Sequence, residues 1–478
     1  MESHTTMLAG GELVAIGGEN ESEVFDASTG ELLARVADAT EADVDRAVAA
    51  ARRAFPAWRD ATPGVRAAAM LAFADAIDAA TERLAAAESA NTGKPLTAAR
   101  EEVAAASDCV RFFAGAGRCL EGRSAGEYTP GFTSIIRREP IGVAGLIAAW
   151  NYPLVVAAWK FCPALAAGNT VILKPAEQTP LTALILAELS LEVLPPGVFN
   201  VVPGRGETTG QAIVTHPDID VVSLTGSSPT GKLIAAAAAQ TLKRVHLELG
   251  GKAPVLIFDD ADPAQVAEAI RFGGFWNSGQ DCGAASRLLV SEGAFERIAE
   301  ALVPAVQSLR VGGPTEAENS EMGPLAFSAH RDRVVGFIDR AVVTGASVLA
   351  GGHELSRAGY FVAPTVLTDA APSSEIVRDE VFGPVVLLER CADEEELLGR
   401  AADTRFGLAA SIFTRDVGRA MDVSRQLDFG TVWINTHSPI AVEMPWGGFR
   451  QSGYGNEQSV YSLEEYTQIK HVMVRLPS

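Results

Sequence analysis

From residue 141 onward the chain gathers its apolar residues into short unbroken runs, "IGVAGLIAAW", "TVILKP", "VFNVVPG", "DVVSLTG" and "RVHLELG". Between them lie stretches such as "LTALILAELSLEVL" whose apolar positions recur at helical spacing. Continuous runs punctuated by glycine and proline suit strands buried on both faces, so residues 141–250 predict a five-stranded parallel sheet of βαβ units. Such a sheet binds ligands beyond the carboxyl ends of its strands. A second α/β series starts at "APVLIFDD", residue 253, and runs to about 445 with "GTVWIN" near its end, placing the boundary at Gly250-Gly251. Upstream, residues 40–118 predict helices: Thr40 with Asp43 forms a capping-box start, Pro63 suits a first helical turn, and Ala-rich periodic segments follow. Two stretches fit neither series, about 120–139 with "GEYTPGFTSIIRREP" and the alternating tail "EYTQIKHVMVRL". Isolated strands of that kind need a partner, in the same chain or in another subunit.

Length and charge narrow the function. A chain of 478 residues exceeds what one core supports, about 250 to 300 residues, so two or three domains are expected. With 47% hydrophobic and 21% charged residues it reads as globular. Sixty acidic residues against 39 basic ones, a net charge of -21, argue against nucleic acid or an anionic membrane as partner. The five cysteines (109, 119, 162, 282, 391) are scattered, with no CxxC pair and no His-rich pattern. Neither a disulfide framework nor a metal site is expected, and a reducing compartment suits the chain. The opening "MESHTTMLAGGELVAI" lacks a basic segment followed by an apolar core, and no apolar run reaches the ~18 residues of a membrane span, so the expected address is the cytoplasm.

Candidate chemistry collects at strand ends. "GRGETTG" (204–210) and "TGSSPTGK" (225–232) each follow a predicted strand and lead into a helix, where backbone can approach a phosphate. Neither is a standard dinucleotide or Walker fingerprint, and each taken alone is more readily a plain strand-to-helix turn. "ILKPAEQTP" places Lys174 and Glu177 where they could bond a ribose diol or simply pair with each other. Convergence of three such ends on one crevice strengthens the nucleotide reading. Glu248 ends a buried-looking strand in "LELGGKAP", where a carboxylate is costly unless paired or used as an acid or base. Asn151 ends another strand in "AWNYPL", as an amide donor toward the crevice or as a loop cap. Cys282 sits among glycines and amides in "FWNSGQDCGAAS", a poor setting for a thiol acting only as a small apolar filler, which is the reading that fits the other four.

"LELGGKAP" followed by "FWNSGQDC", with Cys282 34 positions after Glu248, resembles the active-site pair of the aldehyde dehydrogenase superfamily. "WNYP", "KPAEQTP", "LPPGVFNVVPG", "LTGSSPTGK", "EVFGPV" and "GGFRQSGYG" follow that family's order along essentially the whole chain. The resemblance implies an α/β fold: a Rossmann-like NAD-binding domain (1–119 and 140–250), an α/β catalytic domain (251–445), and an oligomerisation arm with the C-terminal tail (120–139 and 446–478). It also implies assembly as a homodimer or homotetramer. Cys282 resembles the nucleophile, Asn151 with the Cys282 amide the oxyanion hole, and Glu248 the base that activates water. On the cofactor side, Lys174 and Glu177 resemble the adenosine-ribose clamp, Gly226 and Ser227 the pyrophosphate turn, and Glu380 with Phe382 the nicotinamide-ribose contacts. Ile147, Trp150, Gly206, Gly210 and Leu249 join them as cofactor-site candidates. Glu177 points to NAD over NADP, although relatives with this residue sometimes use both.

Within the superfamily the motifs look most like the γ-aminobutyraldehyde and betaine-aldehyde group. The implied substrate is an ω-aminoaldehyde such as 4-aminobutanal, with betaine aldehyde or a broad range of aldehydes as alternatives. Substrate contacts are expected from Asp281, Glu102, Tyr152, Trp159 and Trp446, through a carboxylate or an aromatic face. Ala149 replaces the family's usual proline, Trp446 a common His or Phe, and Gly283 a frequent Thr or Cys, the last widening the pocket. A catalytically silent homologue would have lost Cys282, Asn151 or Glu248, and a CoA-acylating relative would not need Glu248; all three are present.

Overall fold

The computed structural model describes residues 2–122, 125–314, 316 and 320–477, so positions 123 and 124 of the expected arm lie outside the described residues. The five apolar runs form five parallel strands, Val143–Ile147, Thr170–Lys174, Phe199–Val201, Val221–Thr225 and Arg244–Glu248. The chain steps outward from the first through the second to the third, then crosses back to place the fourth and fifth on the other side. The strand order therefore reverses between Val143–Ile147 and Val221–Thr225, which opens a crevice beyond their carboxyl ends. The hairpin of Thr6–Ala9 and Glu12–Ala15, which the sequence pattern did not announce, extends one edge of this sheet. Its turn is Gly10-Gly11, both at positive φ, 70° and 84°.

Helices cover the sheet as the spacing predicts. Thr40 and Asp43 make a reciprocal capping box for Glu41–Asp60, and Thr62 caps Pro63–Ala79. Phe73, Phe161 and Phe199 join helices to sheet with ring centroids 5.2 to 5.8 Å apart. The second sheet has seven strands, parallel except for Ser347–Ala350 at one edge, and begins with Ala253–Ile257 just past Gly250-Gly251. Phe132–Pro140 pairs antiparallel with Thr467–Arg475 over nine residues, from Pro140 opposite Thr467 to Phe132 opposite Arg475, so the two orphan stretches complete each other. Only this last part of the tail belongs with the arm. Residues 453–466 pack on the first unit instead: Gly453–Tyr454 adds to the edge of its sheet, and Leu463 and Tyr466 enter its core, while Trp446, Phe449 and Gln451 lie against the second unit at Leu408, Gly407 and Arg405. Among the described residues no helix is long and apolar enough to cross a membrane.

Candidate active site

The carboxyl ends of the first sheet and the loop before the second sheet's Ala285–Ser291 strand enclose one cavity of about 660 Å³. Cys282 reaches it from a strained turn. Asn277, Ser278 and Gly279 all lie in the left-handed region (φ 49°, 59° and 67°), a cost of about 1 kcal/mol or more for each non-glycine residue. The amides around them offset it. Asn277 Nδ2 donates to Asn151 O at 2.9 Å, Gln280 Nε2 donates to Asn277 O at 2.9 Å, and Ser278 Oγ donates to Gly323 O at 2.8 Å. These bonds fix the turn that presents the thiol, the reason for polar residues on either side of it.

The half-buried Cys282 thiol and the buried Glu248 carboxylate face the same cavity, near enough for each to shift the other's ionisation. Burial, then the nearby negative charges of Glu248 and Asp281, raise the thiol well above its ordinary range. At neutral pH it is protonated and needs a base. Burial also pushes Glu248 up, to about 7, against the opposing influence of the Cys282 thiol and the Trp446 N–H; a group ionising there can take and release protons. Trp446 Nε1 donates to Glu248 Oε1 at 3.1 Å. Asn151 Nδ2 gives one N–H to Gln280 O at 3.0 Å, leaving its second for the cavity it lines, while its carbonyl accepts from Lys94 Nζ at 3.1 Å.

Ile147, Trp150, Lys174, Glu177, Gly206, Gly226, Ser227, Glu380 and Phe382 line the other half of the cavity. Gly210 and Leu249 do not. Gly210 backs Lys174, where an added Cβ would lie 3.6 Å from Cδ, and Leu249 packs in the core under Gly231. Buried Lys174 donates to Pro175 O at 2.8 Å and stands 3.4 Å from Glu177; burial lowers its ammonium below the usual range. Thr225 Oγ1, buried at a strand end on the cavity wall, has no hydrogen-bond partner among the described residues. Ser227 caps the helix Ser228–Ala238 beside it. An orphan hydroxyl, a glycine turn and a helix N-terminus together fit the phosphates of a dinucleotide. Glu380 Oε1 accepts from Gly251 N at 2.8 Å, and a Cβ on Gly250 would stand 2.2 Å from Glu380 Oε2, so the glycine pair is what lets this carboxylate approach. Burial raises Glu380 to about 7. Phe382 holds a left-handed φ of 60°, and its loop is clamped by Arg333 Nη2 on Glu380 O at 2.7 Å and His330 Nε2 on Phe382 O at 2.6 Å.

Tyr152, Trp159, Asp281 and Trp446 line the cavity, joined by Trp433, which the sequence reading had only as part of a strand. Both carboxylates expected at the substrate are already engaged. Asp281 accepts from Tyr152 Oη at 2.8 Å and from Gly283 N at 2.7 Å. Glu102 is off the cavity wall: Lys94 Nζ contacts both its oxygens at 2.7 and 2.8 Å and stands 4.6 Å from the Tyr152 ring centroid. Burial, with Glu88 adding to it, pushes the Glu102 carboxyl upward against Lys94. Glu102 therefore supports the Asn151-Tyr152 segment rather than the substrate. Gly283 does not widen the pocket either, because the Trp446 ring occupies the space a side chain there would fill.

Residues 15–472 match the model of the Aldehyde dehydrogenase family. The chain belongs to that family. It is thus an aldehyde-oxidising oxidoreductase. It is 43% identical over 457 residues to an aldehyde dehydrogenase of Emericella nidulans, covering 95% of this chain and 92% of the relative. The NAD+ complex structure of aldehyde dehydrogenase from Bacillus cereus superposes with a TM-score of 0.96 at 40% identity, covering 99% and 97% of the two chains. A betaine aldehyde dehydrogenase point mutant from Staphylococcus aureus, solved in complex with NAD+, gives 0.95 at 37% identity over 98% and 96%. Among the described residues no group of three His, Cys, Asp or Glu side chains is placed to hold a metal.

Proposed function

We propose that this enzyme uses NAD to oxidise an ω-ammonium aldehyde to its carboxylic acid. The observation that carries the chemistry is one cavity lined by a protonated thiol, Cys282, and a base poised near neutrality, Glu248, together with the second N–H of Asn151. Glu248 takes the thiol proton, and the Cys282 sulfur bonds to the carbonyl carbon. The carbonyl electron pair moves to oxygen, where Asn151 and the Cys282 backbone N–H hold it. Accepting the hydride that leaves this tetrahedral carbon is the chemistry NAD supplies when bound. Cys282 then carries a thioester, and Glu248, its proton released to solvent, takes a proton from the attacking water as the carbon–sulfur bond breaks. Lys174 and Glu177 would hold the adenosine ribose, Thr225, Gly226 and Ser227 the phosphates, and Glu380 with Phe382 the nicotinamide ribose.

Substrate choice rests on rings, since Asp281 and Glu102 are spoken for. Trp159, Trp433, Trp446 and Tyr152 present aromatic faces, and no arginine or lysine shares their part of the wall to attract a carboxylated aldehyde. A cage of indoles without a free carboxylate also favours a second reading, a quaternary ammonium such as betaine aldehyde. NADH formation across amino, quaternary, aliphatic and carboxylated aldehydes tests both, with Cys282→Ala expected to abolish turnover throughout. Amino or quaternary aldehydes should exceed butanal in kcat/KM by about tenfold, one partly desolvated cation contact. Equal rates with butanal, or preference for carboxylated aldehydes, overturn the substrate assignment. Exposed Tyr128, Ile469 and Val474 on the arm support assembly as a homodimer or homotetramer, and five free cysteines suit a cytoplasmic enzyme.

A further inference from the structure

Trp446 and Gly283 meet beside Glu248. The Trp446 indole reaches past the nucleophile loop to donate its N–H to Glu248 Oε1 at 3.1 Å. It can lie there only because residue 283 has no side chain. A Cβ on Gly283 would stand 2.6 Å from Trp446 Cη2 and 3.1 Å from Cζ2, closer than carbon atoms approach without displacement. Gly283 itself is not in the left-handed region, so the backbone does not demand glycine; the indole does. The rest of Trp446 is fastened from elsewhere. Its N–H donates to Glu457 O at 2.9 Å and its carbonyl accepts from Glu457 N at 2.6 Å, while Lys160 Nζ holds the Glu457 carboxylate at 2.6 Å. The Trp433 ring centroid lies 6.0 Å from that of Trp446. Glu248 is thus bonded by a buried indole whose own backbone is paired with Glu457, with the Cys282 thiol nearby in the same cavity.

We infer that Trp446 is a positioning residue for Glu248, that its N–H holds the carboxylate oriented at the thiol and thioester, and that Gly283 is kept small to admit it. The inference rests on the reading of Glu248 as the base. It separates two tasks of one side chain: the ring face meets the substrate, and the N–H serves the deacylating carboxylate. The groups facing Glu248 are the Cys282 thiol, the Trp446 N–H and, farther off, Lys160 and Glu457. Replacing the indole by a ring without N–H removes one donor that favours the ionised carboxylate and leaves the charged neighbours unchanged. Glu248 should then ionise at higher pH and sample more orientations.

The experiment compares Trp446→Phe, Gly283→Ala and the double variant by stopped-flow and by steady-state pH profiles, with Glu248→Gln as reference. In Trp446→Phe the NADH burst should persist, steady-state kcat should fall about tenfold, and the acid limb of kcat should move up by about one pH unit, the size of one charge-assisted hydrogen bond. The preference for aminoaldehydes over butanal should survive, because phenylalanine keeps a ring face. Gly283→Ala, which touches neither partner chemically, should reproduce the slower turnover and the shifted limb by pushing the indole off. The double variant should be no worse than the poorer single one, as for residues acting through one contact. Wild-type kcat and pH profile in Trp446→Phe, or strictly multiplicative losses in the double variant, overturn the inference. If Glu248→Gln itself turns over at the wild-type rate, the base assignment fails, an outcome distinct from failure of the indole's role.

Discussion

Replacing Glu248 by glutamine should make the protein more resistant to unfolding at alkaline pH while disabling its turnover. The carboxyl is buried and ionises at about 7 in the folded chain against an ordinary value of 4.5, with burial as the largest cause. That displacement amounts to about 3 kcal/mol of preference for the protonated form. A carboxyl whose folded value is raised binds its proton more tightly when folded. Its contribution is therefore most favourable below 4.5, drains away as pH rises from 4.5 to about 7, and stays lost above. An amide does not titrate, so the variant escapes the loss. At about pH 4, where both side chains are neutral, the variant should trail by about 1 kcal/mol for a weaker hydrogen-bond set. At about pH 8 it should lead by about 2 kcal/mol. Urea unfolding midpoints of both proteins at matched pH values measure the crossing, and midpoints are the right quantity because a chain of several units need not unfold in one step. Steady-state turnover should fall by about a hundredfold or more, as for loss of a general base. A midpoint difference that is constant with pH, or that turns against the variant as pH rises, would refute the claim that this carboxylate is held ionised at a cost.

Glu102→Gln should leave the ratio of kcat/KM for 4-aminobutanal over butanal within about twofold of wild type, because Glu102 is off the cavity wall and paired with Lys94, while lowering the unfolding midpoint as a weakened buried ion pair does. A narrowed ratio with unchanged stability would return Glu102 to the substrate. NAD should exceed NADP in kcat/KM, and Glu177→Gln should narrow the difference by about threefold to tenfold, since this carboxylate is one-third exposed and partly screened. A higher kcat/KM with NADP in the wild-type enzyme would count against the ribose clamp.

The parallel strands were legible because a strand buried on both faces must be apolar at every position, and the five runs of residues 141–250 form such strands, with only the start of Arg244–Glu248 less than fully buried. Thr6–Ala9 and Glu12–Ala15 escaped for the opposite reason. Four-residue strands at an edge, one of them largely exposed, carry neither a run nor a sustained alternation, and only Gly10-Gly11 hints at the hairpin. The tail misled in a similar way. Its alternating end does form the arm strand, but the commitment of residues 453–466 to the first unit depends on Leu463 and Tyr466 filling a core built by residues far upstream.

At the site, sequence located the groups but could not tell which of them were already in use. Cys282 and Glu248 stand out because a thiol and a carboxylate at the ends of buried segments are costly without a task, whereas Asn151 reads as a loop cap until the family resemblance gives it a role. Asp281 and Glu102 pass the same test on paper, and the structure meets their cost locally. The partner of Asp281 is a tyrosine 129 residues away, brought in by the helix that starts at Pro153. The partner of Glu102 precedes its helix and is swung back by Gly93 at φ 82°. An expectation based on charge alone therefore overcounts sites for a cationic substrate. What a search for charges undercounts is the uncharged donor: Trp433 adds a ring the motifs did not single out, and the N–H of Trp446 meets Glu248 only through a vacancy at Gly283 that no linear pattern displays. The same indole lines the cavity with its ring and bonds Glu248 with its N–H, so a variant that keeps a ring and loses the N–H separates the proposed substrate contact from the proposed hold on the base.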